Sequence, residues 1–466
     1  MSSSELQKVL SQIERDFPVH LSAIQEAVRQ PSISADGKGV AEMASMVADR
    51  IRGLGGECEV VATEGYPIVW GQIDTGAPKT LLIYGMYDVQ PVLGESWMVS
   101  DPFGGEILEL PDLGPCLVSR GVQNTKGPLF GFFNALDSFQ KAGVRYPVNF
   151  RFVIEGEEEL GSEHLPDFVA RHGDSLKADA ALFPFFCQDR TGKPMLYLGV
   201  KGIIFFDLLV RGGEWGGPVH HGIHSSNAVW CHSPAWLLLH AIASMLSPDQ
   251  REILIGGVYD DVAGPDEEGN QLLSKLAVTF QPETQLEQND MLRFRQELEP
   301  VDLLKEYLYK PSLNVDGFIT GHVAAGTKTV LPHEARARLD LRLVPQMDPD
   351  RTLRLLSDHL RDHDYTQVEL DVHHCYPWSR ISIDTAPAQA VMATYRALGY
   401  ESEVWPFLAG SAPFYLFNDL LQTPIVMAGL GHGGASHSPN EYATVEGIEL
   451  FEKSMALFID DYARRG

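Results

Sequence analysis

The chain has 466 residues, 44% of them hydrophobic, which is too long for one ordinary core and apolar enough to fill two. Its 63 acidic against 36 basic residues give a formal net charge of -27, a balance that repels a phosphate backbone or an anionic bilayer, so neither nucleic acid nor membrane is an expected partner. The five cysteines (Cys58, Cys116, Cys187, Cys231 and Cys375) are scattered, odd in number and without Cys-x-x-Cys spacing, which excludes a disulfide framework or zinc ribbon; a reducing cytoplasm is the expected setting.

In chain order, amphipathic helical periodicity covers residues 4–30 and 39–54. Short apolar runs at Leu81 to Tyr84, Val148 to Ile154 and Ala180 to Phe185 predict strands covered on both faces, with a helical stretch at 128–142 between the first two. This alternation specifies an α/β domain with a mostly parallel sheet. Acidic residues follow two of the runs, at Asp88 and at Glu155 to Glu159, and strand carboxyl ends are where open α/β sheets place their sites. From about Asp207 the pattern becomes a long strand, a glycine-rich loop over 212–222, and helices over 234–246 and 351–363, the order of an inserted α+β unit. After Asp384 the α/β pattern resumes, with a helix over 387–398, a strand at Thr423 to Met427 and a terminal helix over 445–463. The expected segments are therefore 1–207, 208–384 and 385–466. Asp266 to Asn270 is expected as a solvated loop, and His359 and His363, four apart on a helix, as solvated side chains.

Several phrases stand in a telling order: Gly85-Met86-Tyr87-Asp88, Arg120 to Gly127, Glu155-Gly156-Glu157-Glu158-Glu159-Leu160-Gly161-Ser162, Arg342-Leu343-Val344-Pro345 and His437-Ser438-Pro439-Asn440-Glu441. Over nearly its whole length the chain resembles the di-zinc peptidase family of carnosine dipeptidases, aminoacylases and glutamate carboxypeptidases. The resemblance implies a catalytic α/β domain interrupted by a lid domain that also forms a homodimer interface. It further implies two zincs held by a His, a bridging Asp, a Glu, a second Asp and a C-terminal His. Carried over, these positions are Met86, Asn124, Glu159, Phe185 and His437, with Glu158 as the general base and Asp88 behind Met86. On the substrate side, Arg342, Thr329, Gly410 and Ser411 match the groups that hold a substrate carboxylate and backbone, and His220 is placed as the histidine lent by a partner subunit's lid.

Three of the five donor positions carry residues unsuited to zinc: a thioether, a neutral amide and a phenyl ring. A pair of cations also needs an anionic bridge, which Asn124 lacks. The leading expectation is therefore a metal-independent enzyme without a cofactor. It acts at an amide or acyl centre of an amino-acid or peptide-like substrate by cyclisation, acyl transfer, condensation or hydrolysis, with Glu158 as acid and base. Crowding of Glu158, Glu159 and Asp88 is expected to raise at least one carboxyl pKa, and His220, Arg120 and Lys126 are the candidate charge stabilisers. The alternatives are a non-catalytic subunit or binding protein, which lends His220 and Thr329 to an active paralogue in a heteromer, and a dipeptidase with one weak zinc on Glu159 and His437. His220, His221, His224 and His232 read as loop histidines, and Cys187 and Cys231 as inert thiols.

Overall fold

The structure is a computed structural model and describes residues 1–92, 94 and 96–465. The chain divides into two compact units, one formed by residues 1–199, 380–407 and 413–466, the other by 200–379 and 408–412.

The first unit is built on a six-stranded sheet in the order Glu57–Val61, Ile68–Ile73, Asn149–Glu155, Thr80–Met86, Ala180–Pro184, Ile425–Ala428. The last four strands run parallel to one another and the first two antiparallel. Thr80–Met86 is central and buried along nearly its whole length, which is why its sequence is a continuous apolar run instead of an alternating one. Helices Ser3–Arg29, Lys126–Lys141 and Val445–Arg464 pack on one another. The first starts at a capping box: Ser2 Oγ accepts from the Glu5 amide at 3.2 Å while Glu5 Oε2 accepts from the Ser2 amide at 2.8 Å. Lys126–Lys141 buries Phe130, Phe132, Phe133 and Phe139, each contributing roughly 1.5–3 kcal/mol on removal from water.

A smaller antiparallel sheet in the same unit, in the order Gly433–Gly434, Tyr442–Thr444, Gly114–Val118, Glu106–Leu110, carries two loops of interest. Tyr442 pairs with Val118, so the loop leaving Gly114–Val118 and the loop entering Tyr442–Thr444 are held side by side. These loops contain Asn124 and His437.

The second unit is an antiparallel sheet in the order Ser312–Thr320, Glu334–Leu343, Gly199–Arg211, Val368–Tyr376. Ala335, Ala337, Leu339, Leu341 and Leu343 alternate into a core shared with residues of the Pro234–Ser244 and Pro349–Asp362 helices, a period of two that buries one face.

Several expectations need correction. The long strand begins at Gly199, eight residues before Asp207, because its apolar run continues backward through Ile203 and Ile204. The short strand Leu408–Ser411 belongs to the second unit, where it pairs with Gly199–Arg211, so the third sequence segment is not continuous with one unit. Asp266 to Asn270 is no loop: Asp266 caps helix Glu267–Thr279 by accepting from the Gly269 amide at 2.7 Å. His359 is buried, with Ser244 Oγ at 2.9 Å from Nε2 and the His363 ring tilted against it at 4.1 Å, because the second-unit core reaches that helix face. Among the described residues no helix is long and apolar enough to cross a membrane.

Candidate active site

The run Glu155 to Glu159 leaves the carboxyl end of a parallel strand, and the structure gives its members separate tasks. Glu155 Oε1 accepts from Tyr84 Oη at 2.6 Å and Ser162 Oγ at 2.9 Å. Glu157 accepts from the Tyr66 amide at 2.9 Å and pairs with His164 at 2.8 Å. Both are therefore structural. Gly156 separates them because any side chain there would meet the Tyr87 hydroxyl at 2.4 Å. Glu159 faces the site: Oε2 accepts from Gln90 Nε2 at 2.7 Å, and Oε1 accepts from Asn124 Nδ2 at 2.9 Å and lies 3.3 Å from His437 Nε2. Glu158 has no side-chain partner among the described residues, which leaves its carboxyl free to exchange a proton.

Asp88, expected behind Met86, instead supports the acidic turn. Its Oδ1 accepts from the Glu158 amide at 3.2 Å and its Oδ2 from the Glu159 amide at 3.1 Å. Glu441 performs the same service for the opposite loop, accepting from the amides of Gly121, Gln123 and Asn124 at 2.8–2.9 Å and from Arg120 Nη1 at 3.0 Å. Arg120 is thus consumed by Glu441 and by the carbonyls of Ser438 and Pro91, and Lys126 is buried against the carbonyl of Gln30. Neither is placed to stabilise a substrate charge, because each already neutralises or ties down the protein's own groups. Glu441 and Gln90 were missed as site residues. Glu441 carried a signal, since it ends a phrase already singled out.

The charge balance is strongly acidic. Burial, then the neighbouring charges of Glu159, Asp88 and Glu155, push Glu158 well above the carboxylate range. Burial and Glu159 push Asp88 up to about 7, and burial raises Glu155 to about 8. Hydrogen bonding to Glu159 raises His437. Cys187 is pushed up to about 12 by burial, as expected of an inert thiol.

Donor chemistry limits what cation the site can accept. Glu159 Oε1 and His437 Nε2, 3.3 Å apart, have about the separation of two ligands on one zinc with bonds near 2.0–2.2 Å. The amide of Asn124 touches both, at 2.9 and 3.0 Å, and its oxygen is a third, neutral donor after rotation of the amide. One divalent cation fits this set. A second does not: Met86 is buried with a thioether, and Phe185 stacks on Phe183 at 6.0 Å and offers no donor.

The second unit contains the residues expected to meet a substrate carboxylate. Arg342 donates from Nε to Asp340 at 2.7 Å and from Nη1 to Ser411 Oγ at 2.9 Å, while Ser411 donates to the Gly202 carbonyl at 3.2 Å. Its Nη2 has no protein partner among the described residues. Gly410 is half-buried beside Ser411. Thr329 is 3.0 Å from Nε2 of His224, held there by pairing of His224 with Val330. The structure places His224 at Thr329, while His220 is exposed in the loop that precedes Ile223–His224.

The model of peptidase family M20/M25/M40 matches residues 82–461. The chain belongs to this family. The Cys-Gly metallodipeptidase dug1 of Schizosaccharomyces pombe is 28% identical over 97% of both chains, and the Beta-Ala-His dipeptidase of Homo sapiens is 25% identical over 83% of this chain and 76% of its own. The crystal structure of an M20 family metallo-carboxypeptidase from Sulfolobus solfataricus superposes with a TM-score of 0.87 at 31% identity, covering 95% of this chain and 99% of its own. Human carnosine dipeptidase 1 shares the fold, with a TM-score of 0.84 at 23% identity over 99% of this chain and all of its own. The expectation of a metal-independent enzyme without a cofactor is overturned here, because fungal relatives matched over 97–99% of the chain are named metallodipeptidases.

Proposed function

We propose that this member of the family is a metal-dependent dipeptidase working with one divalent cation in place of a pair. The observation that carries this reading is the convergence of Glu159, His437 and Asn124 within 3.3 Å beside the unpartnered carboxyl of Glu158. Glu159 and His437 hold the cation, with the Asn124 amide as a weak third donor and Gln90 fixing the Glu159 rotamer. A bound cation supplies Lewis acidity for the scissile carbonyl and for water. Glu158 takes the proton from the attacking water and returns it to the leaving amine, a role suited to a carboxyl whose proton affinity is raised by burial. Within the second unit, Arg342 offers its remaining Nη2 to a carboxylate, steadied by Asp340 and Ser411. Gly410 offers backbone contact there, and Thr329 with His224 forms a further polar contact.

The cytoplasm and a homodimer complete the reading. Support for the dimer comes from the second unit, where the edge strand Ser312–Thr320 exposes Val315, Phe318 and Ile319 and the Pro234–Ser244 helix exposes Trp236 and Leu239.

The test is hydrolysis of a dipeptide panel, including Cys-Gly and β-Ala-His, by protein dialysed against a chelator and then reloaded with zinc or manganese. Turnover is expected to vanish on chelation, to return with metal, and to be lost in His437→Ala. Turnover indifferent to chelation overturns the metal assignment. No turnover under any loading leaves a binding protein.

A further inference from the structure

The helices that cover the first unit hold a second cluster of donors outside the active-site loops. Asp16 and His20 lie four apart on one face of Ser3–Arg29, and Asp137 faces them from Lys126–Lys141. One donor atom from each lies within 4.8 Å of the others, and among the described residues this is the one such group of three His, Cys, Asp or Glu side chains. His20 is 2% exposed. Its Nδ1 is 2.7 Å from Glu452 Oε2, and Glu452 Oε1 accepts from Asn134 Nδ2 at 2.9 Å. A carboxylate accepts and does not donate, so Nδ1 carries the hydrogen and Nε2 is left as the outward-facing atom. That Nε2 is buried without a hydrogen-bond partner, 3.9 Å from Asp137 Oδ2.

A carboxylate behind one ring nitrogen, with the other nitrogen aimed at two further carboxylates, is the support pattern of a metal-ligating histidine. The 3.9 Å separation needs only a small side-chain rotation to reach the roughly 3.4 Å expected between ligands on zinc. Lys141 Nζ currently bridges Asp16 at 3.1 Å and Asp137 at 2.8 Å from a half-exposed position, so the cluster already attracts positive charge and the ammonium can swing out to water.

We propose that Asp16, His20 and Asp137 form a structural site for a divalent first-row cation, zinc by preference, which ties the first helix to Lys126–Lys141. Imidazole with two carboxylates suits zinc and cobalt over magnesium or calcium.

The test uses full-length His437→Ala protein, in which the active-site cation is removed, titrated with Co²⁺ and followed by visible absorption and by Tm. One bound Co²⁺ per chain and a raised Tm are expected. Asp137→Asn should weaken this binding at least tenfold, and Lys141→Met, which deletes the competing ammonium, should tighten it. Asp137 is partly exposed, so its substitution leaves the fold available for measurement. Absence of bound Co²⁺ in the His437→Ala protein overturns the site, as does equal affinity in the Asp137→Asn variant; His20 then serves only as a buried link between Glu452 and Asp137.

Discussion

The two units handle charge in opposite ways. In the first, Glu158, Glu159, Asp88 and Glu155 crowd one strand end while the nearby Arg120 is already spent on Glu441. In the second, Arg342 is half-satisfied by Asp340 and keeps one guanidinium nitrogen for an incoming anion. A site with excess carboxylate wants a cation; a site with spare guanidinium wants a carboxylate. Each unit is open to a separate attack.

The largest effect should come from Glu158→Gln, which keeps shape and removes the proton carrier. Turnover should fall about 10²- to 10⁴-fold with KM little changed, and a dipeptide assay showing wild-type kcat would break the assignment. Next, Arg342→Met removes the charge-assisted partner of the substrate carboxylate, a loss of about 1.5–3 kcal/mol. That should raise KM roughly 10- to 100-fold, while a peptide amide lacking the carboxylate should be affected far less. Equal losses on both substrates would show that Arg342 is structural.

Asn124→Asp sharpens the cation side. A new carboxylate 2.9 Å from Glu159 should lower Tm in chelator-stripped protein through like-charge repulsion and raise it once zinc is added. A shift of one sign under both conditions contradicts the donor set proposed for the loop.

The smallest effect concerns the second unit alone. His374 is stacked on Phe205 and Tyr376, and burial, with help from His373 and Arg342, lowers its pKa to about 4. The folded value lies below the unfolded one, near 6.5, so the unfolded chain binds the extra proton between those values. Its contribution to stability is complete above about pH 6.5 and is lost as the pH falls toward 4, on the order of 2 kcal/mol. His374→Phe should flatten that acid limb in urea-midpoint measurements; an unchanged pH profile would remove His374 as its cause.

Much of the fold was readable in the sequence because its elements bury wide, regular faces. Leu81 to Tyr84 and the phenylalanines of Lys126–Lys141 admit few alternatives. The misread parts are those where one residue decides the outcome: Asp266 as a cap and His359 under a neighbouring helix. In the site, residue types at matched positions told which donors were absent. They did not tell that Asn124 would lie within hydrogen-bonding distance of both Glu159 and His437, because that contact depends on two loops far apart in sequence.

Glu441 gives those loops a consequence for how the protein is made. Its carboxylate secures amides more than three hundred positions earlier, at Gly121, Gln123 and Asn124. While the chain is being synthesised, those amides wait for a partner that emerges near the very end. This loop is therefore among the last parts to mature, and a chain that stops between Ala428 and Glu441 keeps all six strands of the large sheet but lacks the carboxylate that holds these amides.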